Sequence, residues 1–367
     1  MLQQIAVPTL LLDESKARRN INRMVQRAQR AGLPLRPHFK THQSGPIGQW
    51  FRERGVDRIA VSSLRMAEYF ANRGWTDITN AFPVNIREMD RIQKLAAKVR
   101  LQLLVENTEA IEALRAQVNQ PLSLFIKINC GNDRTGLRPE NRAAIDACLQ
   151  AIDQSTRLAF RGFLAHAGHT YAARGKEDIA RIHFQTLRDL DPLIRSYRSR
   201  YPDLVFSYGD TPSCSTMEDF GPVDELRPGN FVFYDLMQAR IGSCDLEDIA
   251  VALACPVVAK HPDRMDIVLF GGGVHLSKDH LSDRQTISYG QPVKWTDRGW
   301  TVIDDGQSYV RKLSQEHGIL RAAPALFQDV QIGDLMGIVP VHSCMTADLM
   351  KTYQTLQGTQ VEMMTYV

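Results

Sequence analysis

A chain of 367 residues, 44% hydrophobic and 23% charged, has the composition of a folded globular protein with room for one large domain and a smaller second one. A net charge of +3 with no long basic run offers no footprint for nucleic acid, and no apolar run approaches the ~20 residues that span a bilayer, so no membrane is expected. The opening IAVPTLLLDES makes a poor secretion signal, and the six cysteines lack CxxC spacing, so reduced thiols in a cytoplasm are expected.

In chain order, VPTLLLD is extended, and Asp13 is placed to cap a helix whose apolar face is Ile21, Met24, Val25 and Ala28, ending near Gly32. A repeating unit follows: an apolar β-rich run, a polar turn, then a helical period. The runs are Leu33–Phe39, Arg58–Ser62, Asp77–Phe82, Leu101–Glu106, Leu122–Asn129, Ala159–Ala167, Leu204–Tyr208 and Phe231–Tyr234. Between them lie SSLRMAEYFANRG with a serine cap, NIREMDRIQKLAAKV, TEAIEALRAQ, PENRAAIDACLQAI and EDIARIHFQTLRDLDPLIRSY, each with helical spacing. Strands alternating with helices in this way predict an α/β fold, a (β/α)8 TIM-like barrel over 13–246. The alternative is an open doubly wound sheet, but its early glycine-rich turn is missing. FGGGVH, at 270–275, comes late, leads into no convincing helix and reads as a turn. After about residue 247, short β-like runs with Gly, Asp and Pro turns predict a smaller C-terminal β domain over 247–367, with residues 1–12 placed to pair with it.

In such a barrel the working groups gather at the carboxyl ends of the strands. LRPHFKTHQS alternates Arg36, His38, Lys40 and His42; on an extended strand these share one face and would crowd, which disfavours a protonated amine and suits Schiff-base formation. Alone, the stretch reads better as a charged edge strand that blocks aggregation. GNDRTG carries Arg134 on a turn, aimed inward or at solvent. HAGHTY places His166, His169 and Tyr171 at a strand mouth, where imidazoles pack on planar rings or act as bases. GDTPSCST offers N–H groups and hydroxyls, Thr211 and Ser213 among them, to a phosphate; RPGNFVFYD adds Gly229 and Asn230, although ordinary turns explain both loops. VHSCMTADL sets His342 and Cys344 two apart, on one side of a strand, as two zinc-type ligands or as a buried thiol beside a turn histidine.

Together these segments resemble the D-threonine aldolase and D-serine dehydratase family, fold-type III pyridoxal phosphate enzymes related to alanine racemase by their barrel. The resemblance covers nearly the whole chain, and RPHFKTH is its most specific motif. It implies that Lys40 holds pyridoxal 5'-phosphate and that Arg134 faces the pyridine nitrogen. It implies cofactor contact or proton transfer for His166, His169 and Tyr171, phosphate binding for Thr211 and Ser213, and a divalent metal, zinc or manganese, on His342 and Cys344. The expected activity is that of a lyase on small-molecule D-3-hydroxy amino acids. In elimination, Lys40 removes the α-proton; in retro-aldol cleavage, His169 or metal-bound water takes the β-hydroxyl proton. His-x-Cys resembles the dehydratase pattern, while Met345 stands where a proline is common in both kinds of enzyme. A racemase needs two opposed acid/base groups and no metal, and a non-catalytic pyridoxal phosphate-binding protein of this kind lacks the β domain. Related enzymes are dimers, so a cytoplasmic homodimer is expected.

Overall fold

The computed structural model describes residues 2–283 and 286–365. The chain forms two compact units that interleave in sequence: Asn22–Lys40 with Gly48–Gly229, and Met1–Ile21 with Thr41–Ile47 and Asn230–Val367. It therefore passes between units at 21/22, 40/41, 47/48 and 229/230.

Strand β1 (Thr9–Leu12) belongs to the second unit. The first unit carries seven strands: β2 (Ile59–Val61), β3 (Asp77–Pro83), β4 (Arg100–Val105), β5 (Leu122–Lys127), β6 (Leu158–Ala165), β7 (Val205–Tyr208) and β8 (Glu225–Leu226). They pair in parallel and in sequence order. Parallel strands are covered on both faces and so read as unbroken apolar runs; in β4 every residue after Arg100 is buried. Ser63 caps the helix Leu64–Ala71 by accepting from the Met66 N–H at 3.2 Å, as the sequence predicts.

Two of the expected eight strands differ. Leu33–Phe39 is not a regular strand, but it bridges both edges of the sheet: Leu35 pairs with Leu226 of β8 and His38 with Ala60 of β2. The Arg36 N–H donates to the Leu226 carbonyl and the Phe39 N–H to that of Ala60, each at 2.8 Å. Phe231–Tyr234 is no strand either. Asn230–Val232 forms a 3-10 turn, and β8 comes earlier, at Glu225–Leu226. The apolar run FVF is fully buried, and burial alone does not separate strand from turn.

Arg36 is buried, donating to Glu225 at 2.8 Å and Asp77 at 2.6 Å, so it ties the bridging segment to β8 and β3. Phe39 packs on Phe51, Phe70 and Trp75, with centroids 5.0, 4.9 and 5.1 Å away. The residue after this anchor is Lys40, exposed on a turn.

In the second unit, β1 lies between β9 (Val251–His261), antiparallel, and Thr352–Thr355, parallel. β9 pairs in turn with Leu335–Pro340. FGGGVH is not only a turn, because Gly273–Leu276 makes one helical turn. Gly272 permits it: a Cβ there would fall 2.3 Å from the Gln315 carbonyl oxygen. No helix among the described residues is long and apolar enough to cross a membrane.

Candidate active site

The first unit gathers basic groups at the carboxyl ends of its parallel strands. His38 ends the bridging segment, Lys127 ends β5, His166 follows β6 and Arg227 follows β8. Burial holds the His38 imidazole well below its usual pKa, and the charges of Lys40, Arg227 and Arg134 push it the same way. His166 is lowered by burial too, against the pull of its Nδ1 bond to the Gly209 carbonyl oxygen at 2.6 Å. A neutral His166 donating from Nδ1 keeps Nε2 as an acceptor. Arg227 is buried, with Nη2 donating to the Ala165 carbonyl at 2.7 Å and Nε to Ser207 Oγ at 3.3 Å; burial brings its pKa to about 10, so it stays charged at neutrality. Lys127 is buried as well, donates to the Ile128 carbonyl at 2.6 Å, and is brought by burial to about 8. Lys127, Cys130, Arg134 and His166 line one small polar cavity.

The loop after β7 packs tightly on this cluster. A Cβ at Gly209 would fall 2.6 Å from the Arg227 backbone, so only glycine lets the two loops touch. Asp210 caps the turn, its Oδ1 accepting from the Ser213 N–H at 2.7 Å and Thr170 Oγ1 at 2.9 Å, and burial raises its pKa to about 6. Thr211 and Ser213 are fully buried, and the Thr211 N–H reaches Tyr171 Oη at 3.5 Å. The Tyr171 ring centroid stands 6.1 Å from that of His166. Cations and neutral imidazoles dominate around the exposed Lys40 amine, and hydroxyls and N–H groups sit in the adjoining loop. That donor set fits an anionic, phosphate-bearing aldehyde such as pyridoxal phosphate.

The expected residues are thus only partly assembled. Lys40, Arg134, His166, Tyr171, Thr211 and Ser213 all belong to the first unit: Lys40, Arg134 and His166 outside regular elements, Tyr171 on the 3-10 turn Gly168–Ala172, and Thr211 and Ser213 on the short helix Thr211–Thr216. His169 instead meets Thr186 Oγ1 through Nε2 at 3.3 Å, on the helix Lys176–Arg198. Gly229 is half-buried at the end of the first unit, while Asn230 begins the last segment of the second. Arg36, His38, Lys40 and His42 do not share a face. Arg36 is taken up by carboxylates, and the chain turns over 39–42. His42 lies in the second unit, where burial brings its pKa to about 3.

In the second unit, His342 and Cys344 stand at the start of the helix Ser343–Met350, not on a strand. They converge all the same, sharing a hydrogen bond. His342 Nδ1 pairs with Asp279 Oδ2 at 2.8 Å, which leaves Nε2 as the ring's other ligating atom. Thr41 Oγ1 is 3.2 Å from Cys344 Sγ, and Asn230 Nδ2 is 3.6 Å from it. Asn230 also donates to Asp235 at 2.6 Å, and Asp235 accepts the Ser343 N–H at 3.0 Å. One imidazole held by a carboxylate, beside one thiol, is donor chemistry that fits a zinc-type ion. No group of three or more His, Cys, Asp or Glu among the described residues is arranged to hold a metal, so this pair would leave further positions to water or substrate.

The motifs give no role to Lys127, Arg227, Asp279 or Thr41, although RPHFKTH contains Thr41 and RPGNFVFYD contains Arg227. A lone charge inside the apolar run LSLFIKIN signals a buried lysine at 127, and the arginine of RPGNF could have been weighed with its glycine. Nothing local points to Asp279, which lies 63 residues from His342.

Comparison with known proteins agrees with this layout. Residues 12–236 match the family described as "Alanine racemase, N-terminal domain", and residues 250–356 match a serine dehydratase domain. The D-serine dehydratase of Dictyostelium discoideum is 28% identical over 97% of this chain and 95% of its own length. The D-threo-3-hydroxyaspartate dehydratase of a Delftia strain is 29% identical over 97% and 95%. The D-threonine aldolase of an Arthrobacter strain is 24% identical over 93% and 86%. A solved structure of D-threo-3-hydroxyaspartate dehydratase, a cysteine-to-alanine mutant in the metal-free form, matches with a TM-score of 0.91 at 27% identity, covering 99% of this chain and 98% of that one. With one family match spanning more than half its length and a second over its C-terminal part, the chain belongs to the alanine racemase N-terminal-domain family and, within it, to the D-serine dehydratase and D-threonine aldolase group of fold-type III pyridoxal phosphate enzymes.

Proposed function

We propose that this protein is a pyridoxal phosphate- and divalent metal-dependent lyase that dehydrates D-3-hydroxy amino acids. The observation that carries the reading is the presence in one chain of two complementary donor sets: a cationic cluster around Lys40 and the Asp279-supported His342–Cys344 pair. Lys40 would hold the coenzyme covalently, with Arg134, His166 and Tyr171 bordering it and the Thr211–Ser213 turn meeting its phosphate. Lys127 and Arg227 add buried positive charge to the same cluster. His342 and Cys344 would hold the ion. When bound, the coenzyme supplies an electron sink for charge developing at the substrate Cα, and the ion supplies a Lewis acid for the β-oxygen.

Once the substrate amine has displaced it from the coenzyme, Lys40 would be the group whose amine takes the proton on Cα. Its amine is exposed on a turn anchored by the buried Phe39, so it can reach a substrate while its backbone stays fixed. His166 is less suited, because its Nδ1 proton is committed to the Gly209 carbonyl and burial opposes its protonation. His169 meets Thr186 through Nε2, while its Nδ1 makes no hydrogen bond, so it stays the candidate base for cleavage of Cα–Cβ. Loss of the β-hydroxyl from D-serine or D-3-hydroxyaspartate then gives a keto acid and ammonia. The dehydratase names of two relatives and the His-x-Cys spacing support elimination; the D-threonine aldolase relative supports cleavage as the second reading. The same reading extends to a cytoplasmic homodimer, which six free cysteines fit.

A panel of D-serine, D-threonine and D-3-hydroxyaspartate, assayed separately for keto acid plus ammonia and for aldehyde plus glycine, tests the proposal. Keto acid and ammonia support dehydration, aldehyde and glycine move the assignment to cleavage, and neither product from any substrate sinks the lyase reading.

A further inference from the structure

The His342–Cys344 pair has a neighbour that the proposed reaction leaves without a role. We infer that Thr41 is a positioning residue for this pair: its hydroxyl donates a hydrogen bond to the Cys344 sulfur and holds it as a metal-binding thiolate. The inference rests on the proposed metal at His342 and Cys344.

Thr41 is fully buried, and its Oγ1 lies 3.2 Å from Cys344 Sγ. Once the sulfur binds a cation it carries no proton and can only accept, so the hydroxyl must be the donor. The segment that carries Thr41 is fixed. The His42 carbonyl accepts from Tyr353 Oη at 2.8 Å, and the Gln43 carbonyl from the Met364 N–H at 2.7 Å. The Gln43 side chain donates to Asp348 Oδ1 at 2.8 Å, on the same helix that bears Cys344. Gln43 is held at φ 49°, left-handed backbone that few non-glycine residues adopt. The hydroxyl is therefore presented to the sulfur by a braced turn. The Asn230 amide, 3.6 Å from the same sulfur, is a second and longer donor. Donors aimed at a thiolate withdraw charge from sulfur and set its orientation, and losing such a partner typically weakens metal binding by about 10–100-fold.

The test uses the full chain with Thr41→Val, which keeps the shape and removes the hydroxyl, and Thr41→Ser, which restores it. Zinc affinity is measured by competition with a chromophoric chelator. The sulfur-to-metal charge-transfer band is read after cobalt(II) replaces zinc. The expected result is about 10–100-fold weaker zinc binding and a band moved to lower energy in Thr41→Val, with Thr41→Ser near the parent in both. Thr41→Ala gives the same comparison should valine perturb folding, which circular dichroism reports. Unchanged affinity and an unchanged band in the hydroxyl-less variant would overturn the inference. A parent protein that binds no zinc, manganese or cobalt would instead overturn the metal reading on which it rests.

Discussion

Both units bury histidines beside ionisable neighbours, yet the two environments have opposite character. In the first unit, burial and the surrounding cations act together on His38 and His166, and both rings are driven toward neutrality. In the second, burial again opposes a charged ring at His342, but the bond to Asp279 and the nearby Cys344 outweigh it and raise its pKa in the metal-free protein, so a bound cation would take the place of that proton. Desolvation alone therefore does not set the state of a histidine here; the sign of what faces it does. A region rich in Lys40, Lys127, Arg134 and Arg227 is prepared for an anion. A region with Asp235, Asp279 and a thiol is prepared for a cation. On the proposed assignment, one chain would hold two sites for ligands of opposite sign.

The strongest way to break this contrast is to remove the chemistry of one region and read the other. Lys40→Ala should abolish the visible coenzyme band and lower turnover by a factor on the order of 10³ or more, with zinc content unchanged. Cys344→Ala should do the reverse: zinc is lost, dehydration falls by about 10²-fold or more, and the coenzyme band persists. Chelation of the parent with EDTA should reproduce the second result and zinc should restore it. If Cys344→Ala keeps zinc and full activity, the second region is not a cation site.

How much of this was legible differs by element. Strands β4 and β5 are readable because a parallel sheet buries both faces and leaves continuous apolar runs. The strand at 225–226 is not, because it spans two residues between turns and carries no period. The closing segment hides for a related reason: only Leu35 and His38 pair with the sheet, so its alternation of basic residues suggests a face that does not exist. Lys40 stands out through RPHFKTH, yet the physical cause of its placement, Phe39 wedged among three aromatic rings, needs partners from distant turns. His342 and Cys344 were readable as a pair; the helix that carries them and the Asp279 that orients the ring were not, since those contacts span long sequence separations.

Arg36 sharpens the comparison, because it looks like a member of the cationic site and is not. Both of its ion pairs are with carboxylates, Glu225 and Asp77, at 2.8 and 2.6 Å, it also donates to the Ile59 and Asp77 carbonyls, and it is almost wholly buried. Arg36→Met leaves the buried Glu225 without its ion-pair partner and the half-buried Asp77 with its 3.4 Å ion pair to Arg100, so it should destabilise the protein by about 3–5 kcal/mol in urea unfolding. At temperatures where the variant remains folded, the coenzyme band and its binding should match the parent. Weakened coenzyme binding at full folding would place Arg36 back in the anion site.

Lys127 is the converse case, a cation that lowers stability. It is 5% exposed, its amine is bonded to the Ile128 carbonyl, and burial brings its pKa to about 8 from 10.5. Below pH 8 both folded and unfolded chains carry the proton, and the penalty of burying it, about 3 kcal/mol at most, is fully present. Between pH 8 and 10.5 the unfolded chain binds more protons than the folded one, so stability attributable to this group rises as pH climbs through that window. Lys127→Met keeps the stem and removes the charge, but it strands the Ile128 carbonyl, which offsets part of the gain. The net expectation is about 1–2 kcal/mol more stability at pH 7, shrinking above pH 8 and gone near 10.5, measured by urea unfolding of the coenzyme-free protein at several pH values. If the lysine is kept because its charge serves an anion, added pyridoxal phosphate should raise the melting temperature of the parent more than that of Lys127→Met. Equal shifts would mean that the buried charge contributes nothing to the coenzyme.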